Sequence, residues 1–418
     1  MSGRSTFADI VQTLFERRGS KGSALQSRSI EEMCHALLDV EGEVSGIALA
    51  EAVLDRYAGM DPDEKLRFFQ FLNTDLEIDP AALRAAVSGF QNGQSIEDYR
   101  RIGRLAEPRR QELLRRLNQP TGATQALVNM RADLTRAKAR DTNLARTDQD
   151  FQHLLRSWFN RGFLVLRQIN WDTPASILEK IVAYEAVHAI QDWDDLRRRL
   201  YPQDRRCFAF FHPSMPDEPL IFVEVALTLG VPDSIQHVLS EHRDQREAEE
   251  TKVAVFYSIS NCQEGLAGVS FGSMLIKQVV AELSRELPQL ETFVTLSPIP
   301  RLAEWTRSVN GEDPSDDRSV RAAASDYLLT AKDAKGRPFD PVARFHLGNG
   351  AQVYAVHAEA DLSENGVSQS FGAMVNYQYD LSKIEQNHER FVQDQEVSLA
   401  PQFKNSQGMA TNRKRILA

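Results

Sequence analysis

Along the first 150 or so residues, apolar side chains recur every three to four positions, the spacing of a helix that turns one stripe to a core. Phe7, Ile10, Val11, Leu14 and Phe15 form the first such stripe and predict an opening helix. Asp61-Pro62-Asp63-Glu64 then supplies a capping side chain, a proline for the first turn and an acid at the third position, ahead of Leu66, Phe68, Phe69 and Leu72. Asp79-Pro80 repeats the device before Leu83, Ala86 and Val87, and positions 125–138 space Leu127, Met130 and Leu134 in the same way. An all-helical domain over 1–150 follows. From about 141 to 149 the chain turns polar, and beyond it the period changes. Short apolar runs at 163–166, 207–211, 220–228, 253–259 and 293–296 predict strands, and Thr173-Pro174 opens a helix running to 188. Residues 151–418 are therefore expected to form a mixed α/β domain, and the whole chain to be α+β.

Composition narrows the chemistry. The chain has 418 residues, 42% of them hydrophobic, enough for two or three packed domains. Its 49 Lys plus Arg stand against 59 Asp plus Glu, a net charge of -10 that repels polyanions. No general nucleic-acid partner is expected, and a phosphate-bearing ligand needs a local site built from backbone amides. No apolar run approaches the roughly 18 residues of a membrane span. The longest, 220–227, is interrupted by Glu224, so no membrane partner is expected. Cys34, Cys207 and Cys262 lie far apart, with no C-x-x-C pair, which predicts a reducing, cytoplasmic setting.

The segment richest in candidate chemistry follows the strand at 253–259. Gly265, Gly268 and Gly272 lie between that strand and a helical stripe of Ile276, Val279, Val280, Leu283 and Leu287, stopped by Pro288. Glycines placed there either let amides approach a diphosphate at a helix N-terminus or simply make a tight strand-to-helix connection. The spacing is neither a P-loop nor G-x-G-x-x-G. Ser297 stands where the strand at 293–296 must leave its sheet, since Pro298 and Pro300 remove amide donors. Such a serine is either a site residue or a turn residue. Gly348-Asn349-Gly350 predicts a hairpin between strands at 344–347 and 352–357, with His346 on one face. Pattern alone ranks His346 no higher than His212 or His357. Asn376 and Tyr379, three apart, would share a face of a helix, as a polar patch or as support for a site. Glu224 reads as a paired or edge carboxylate, and Lys252, Lys277 and Arg301 as solvated cations with some reach for phosphates. H-E-x-x-H and M-K-M are both missing, which argues against zinc hydrolysis and biotin carriage.

Five blocks in order resemble the malonyl-CoA decarboxylase family: His212-Pro213-Ser214-Met215-Pro216-Asp217-Glu218-Pro219-Leu220, Tyr257-Ser258-Ile259-Ser260 with the glycine loop, Leu296-Ser297-Pro298-Ile299-Pro300, Phe345-His346-Leu347-Gly348-Asn349-Gly350-Ala351 and Met374-Val375-Asn376-Tyr377. The resemblance implies a catalytic domain similar to the GNAT acetyltransferase fold behind a helical domain used for interaction or oligomerisation. It also implies a lyase of fatty-acid metabolism that turns malonyl-CoA into acetyl-CoA and CO2. It assigns Ser297 and His346 as the active-site pair. Ala267, Gly268, Val269, Ser270, Phe271, Gly272 and Ser273 become the coenzyme A and malonyl-binding loop, and Tyr379 matches a tyrosine near the site. Some relatives carry a glutamate where this chain has Ser270. No metal or organic prosthetic group is implied, because the thioester is itself the electron sink, and a homo-oligomer is expected. A GNAT-like acyltransferase on the same coenzyme pocket is the competing enzyme, and a non-catalytic scaffold the third class.

Overall fold

The computed structural model describes residues 28–269 and 275–404. The opening helix expected at 7–15 lies outside them. The chain divides into two compact units, Met1–Asn160 with Gln263–Ser270, and Arg161–Cys262 with Phe271–Ala418.

In the first unit the described helices are α1 (Ile30–Asp39), α2 (Glu43–Ala58), α3 (Pro62–Thr74), α4 (Pro80–Gly93), α5 (Ile96–Ala106), α6 (Arg109–Leu117), α7 (Ala123–Lys138) and α8 (Ala145–Trp158). Asp61 caps α3 through the Asp63 and Glu64 amides while Glu64 reaches back to the Asp61 amide, and Asp79 caps α4. The apolar stripes meet in one core that includes Leu37, Val53, Phe69, Leu72, Leu113 and Leu127. The unit runs past the expected boundary at 150 because α8 contributes Phe151 and Leu154 to that same core. Two buried guanidinium groups are neutralised in place, Arg110 by Asp150 at 2.5 Å and Arg131 by Asp148 at 2.9 Å.

The second unit is built on an eight-stranded sheet. Its strands are β1 (Val165–Ile169), β2 (Arg205–Phe211), β3 (Ile221–Thr228), β4 (Val253–Asn261), β5 (Thr292–Thr295), β6 (Ser297–Pro298), β7 (Gln352–His357) and β8 (Met374–Gln378). The order is β1-β2-β3-β4-β5-β8-β6, with β7 also on β8. Among the named strands, β4 and β5 alone run parallel, and the helix that returns the chain between them is α11 (Leu275–Glu286); α9 (Ala175–Tyr184) and α10 (Trp193–Leu200) precede it. β3 is buried along nearly its whole length because both faces of the sheet are covered, Phe222 and Cys207 by α9 and α10, Ala226 and Val255 by Ile235 and Val238.

Two expectations are corrected. His346 does not sit on a hairpin strand; it lies on helix α12 (Pro341–Gly348). Asp340-Pro341 is the same cap-and-proline device used at α3 and α4, with the Asp340 carboxylate accepting from the Val342 and Ala343 amides at 2.9 and 2.8 Å. Asn376 and Tyr379 are not on a helix. Asn376 belongs to β8, which is ladder-bonded to β7 and β6, and Tyr379 follows it directly.

Candidate active site

The parallel register of β4 and β5 lasts only from Val253 opposite Thr292 to Phe256 opposite Thr295. The final rung is the Leu296 amide donating to the Phe256 carbonyl at 3.0 Å. The strands then part. Ser297 and Pro298 pair with Val375 and Met374 of β8, and neither Pro298 nor Pro300 has an amide hydrogen with which to rejoin β4. On its other side β4 bulges against β3, where Glu224 faces Ser258 and Val225 faces Phe256, so Tyr257 is skipped. A cavity of about 340 Å³ opens at this parting, lined by Tyr257 and Asn261 of β4, by Leu296 and Ser297, and by Phe345 and His346 of α12.

Ser297 and His346, 49 positions apart in the sequence, meet here. Ser297 Oγ lies 3.2 Å from His346 Nε2 and donates to Thr295 Oγ1 at 2.8 Å. Thr295 Oγ1 also accepts the Tyr377 amide at 3.1 Å. Across the ring, His346 Nδ1 lies 2.8 Å from Tyr379 Oη, and the Tyr377 ring stacks on the imidazole with centroids 4.7 Å apart and planes 23° from parallel. Burial, with no charged partner to oppose it, pushes the His346 imidazole down to about 3 and the Tyr377 and Tyr379 phenols well above their ordinary range. The whole chain of hydrogen bonds is uncharged at neutral pH.

Asn376 points the other way along β8. Its Nδ2 donates to the Thr295 carbonyl at 2.7 Å and its Oδ1 accepts from His357 Nε2 at 2.5 Å, so it braces the end of β5. His212 accepts the Ser214 amide in a turn. Glu224 is paired with Arg199 at 3.2 Å, Lys252 with Glu291 at 3.0 Å and Arg301 with Glu304 at 2.7 Å. Strand alternation would have found the partners missed from sequence, since Thr295 shares a face with Ser297, and Tyr377 with Tyr379.

Of the expected coenzyme loop, Ala267, Gly268 and Val269 are described, while Ser270, Phe271, Gly272 and Ser273 lie outside the described residues. The described part belongs to the helical unit. A Cβ on Gly265 would collide with the Val128 carbonyl of α7, and Arg131 Nη1 donates to the Gly265 carbonyl at 2.6 Å. Gly268 has a φ of 74° and accepts from Arg156 of α8 at 3.2 Å. Gly265 is thus required by helix packing and Gly268 by its backbone conformation.

The malonyl-CoA decarboxylase C-terminal domain matches residues 162–317 and 314–416, and the malonyl-CoA decarboxylase N-terminal domain matches 76–159. The chain belongs to the malonyl-CoA decarboxylase family. The mitochondrial malonyl-CoA decarboxylase of Anser anser anser is 32% identical over 377 residues, 78% of this chain and 75% of that protein. Among solved structures, malonyl-CoA decarboxylase from Rhodopseudomonas palustris superimposes with a TM-score of 0.85 at 47% identity, covering 90% of this chain and 98% of that one. The Agrobacterium vitis enzyme gives 0.83 at 46% identity with the same coverage. In this member of the family, the blocks around Ser297, His346 and Met374–Gln378 are the segments that build the cavity and the hydrogen-bonded chain behind it.

Proposed function

We propose that the protein is a carboxy-lyase that converts malonyl-CoA to acetyl-CoA and CO2, with Ser297 and His346 at the reacting end of the thioester. One observation carries the reading: a neutral serine–histidine–tyrosine chain opens on a cavity whose wall, among the described residues, holds no Lys, Arg, Asp or Glu. A malonyl carboxylate in such a wall has lost water and gained no counter-ion, so departure as neutral CO2 relieves it. The bond between C2 and the carboxyl carbon breaks, its electron pair passes into the thioester as an enolate, and a donor hydrogen bond to that oxygen lowers the barrier. C2 then takes up one proton. That proton comes from water, while the neutral His346 gives the hydrogen bond to the enolate oxygen with Ser297 as its partner. The electron sink is the thioester itself, so the step needs no prosthetic group from the protein.

The free edge of β4 beyond Phe256 suits the amide-bearing arm of coenzyme A, and the amides of Ala267 through Ser273 are assigned to its diphosphate, as the family resemblance implies. Tyr379 is assigned to hold His346 from behind, and Asn376 to brace Thr295 at the end of β5. We place homo-oligomer formation on the helical domain, where α5 buries none of its residues and leaves Ile96 and Tyr99 exposed. The three cysteines are free and buried, which suits a reducing, cytoplasmic setting. No described helix is long and apolar enough to cross a membrane.

Release of CO2 from malonyl-CoA, followed with and without an amine acceptor, tests the function. The expected result is equimolar CO2 and acetyl-CoA, indifferent to the acceptor. Turnover that requires the amine would assign the chain to acyl transfer, and coenzyme binding without turnover to a scaffold.

A further inference from the structure

We propose that Thr295 is a positioning residue: it takes the hydroxyl proton of Ser297, so that His346 carries its hydrogen on Nε2 and serves as a hydrogen-bond donor, never as a base for the serine. The inference rests on the decarboxylase reading and assigns what that reading leaves open, the direction of every proton behind the cavity.

Both ends of the chain give the same direction. Ser297 Oγ donates to Thr295 Oγ1 at 2.8 Å, so it offers only lone pairs to His346 Nε2, 3.2 Å away. A lone pair on Nε2 would face them and repel, which places the hydrogen on Nε2. At the other end, Tyr379 Oη lies 2.8 Å from Nδ1, and among the described residues this nitrogen is the hydrogen-bond partner available to that buried phenol. The phenol therefore donates, and Nδ1 holds the lone pair. The acceptor is fixed in its turn. Thr295 is fully buried, its Oγ1 is held by the Tyr377 amide at 3.1 Å and its carbonyl by Asn376 Nδ2 at 2.7 Å. Tyr377, stacked on the imidazole at 4.7 Å, keeps the ring from turning over.

This is the reverse of a nucleophilic serine. There the hydroxyl donates to the imidazole and a carboxylate on the far nitrogen stabilises the imidazolium that forms. Here the hydroxyl is turned away, and a neutral phenol stands where the carboxylate would be. What remains is an uncharged N–H at the cavity, the group that a developing enolate oxygen needs.

Two measurements test the assignment. In CO2-release assays normalised to folded enzyme, Thr295→Val is expected to lose roughly ten- to hundredfold in kcat with KM within about twofold, and Thr295→Ser to recover most of the loss. In protein labelled with 15N-histidine, the His346 signals, assigned by their disappearance in His346→Asn, are expected to report the Nε2–H tautomer at pH 7. An Nδ1–H tautomer or an imidazolium in the unaltered enzyme overturns the proposal, whether or not the valine variant folds. So does a valine variant as fast as the unaltered enzyme, or a serine variant as slow as the valine one. Failure of the decarboxylase reading has a different signature, since the unaltered enzyme would then release no CO2.

Discussion

His346 gives up its hydration when α12 carries it against β8, and nothing anionic replaces the lost water: one ring nitrogen meets Ser297, the other Tyr379, and the face meets Tyr377. Desolvation of the charged form then wins without opposition, and the imidazole titrates near 3. A group held neutral in this way stabilises an oxyanion by donation alone, and one such donor contributes about 3–4 kcal/mol of transition-state stabilisation. Replacing His346 or Ser297 by Ala is accordingly expected to lower kcat about 10²–10³-fold while coenzyme A binding changes only slightly, because neither side chain is assigned to the nucleotide. Steady-state kinetics beside calorimetric titration of coenzyme A separate the two effects. A variant that loses coenzyme affinity in proportion to rate would move that residue from chemistry to anchoring.

Elements explain why part of this was legible in the chain and part was not. Caps and stripes are local, so Asp61-Pro62 and Asp79-Pro80 announced α3 and α4, and the run at 352–357 gave β7 to the residue. The same local cue stands at Asp340-Pro341 but was not read there, and the glycines at 348 and 350 suggested a hairpin; the structure uses Gly350 instead as a left-handed turn, with φ 85°, pressed against Ile384. The meeting of Ser297 with His346 depends on β8 running between β5 and β6, a non-local pairing that no periodicity records; only the family resemblance supplied it. Gly265 carries the same lesson. Its place before α11 suggested room for a diphosphate, yet what lies against it is the Val128 carbonyl of α7. Gly265→Ala must push the loop off that helix and is expected to destabilise the helical unit by about 1–3 kcal/mol, the usual cost of overpacking. Thermal unfolding reads it directly, and an unchanged midpoint would show that the loop gives way freely.

Over the whole molecule, the pH dependence of stability is set by the few titratable groups that the fold has moved far from their ordinary values, more than by the net charge of -10. Glu224, fully buried on β3, is pushed up to about 8 by burial and by the neighbouring Glu185, against the pull of Arg199. Its folded form holds a proton that the unfolded chain releases above about 4.5, so its contribution declines as pH rises from there to about 8. His346 and His188 act in the opposite sense. Their folded values, about 3 and about 4, lie below the unfolded 6.5, so the fold loses stability as pH falls below 6.5. Each group changes stability by up to about 1.4 kcal/mol per pH unit within its window. Between 4.5 and 6.5 Glu224 and the histidines oppose one another; above 6.5 Glu224 acts without them. Glu224→Gln keeps the shape and removes the titration, so the unaltered protein is expected to lose about 2 kcal/mol relative to this variant between pH 6.5 and 8. Denaturant unfolding of both proteins across that range measures the difference. Parallel profiles would mean that Arg199 keeps Glu224 ionised in the folded state, and that the alkaline limb has another origin.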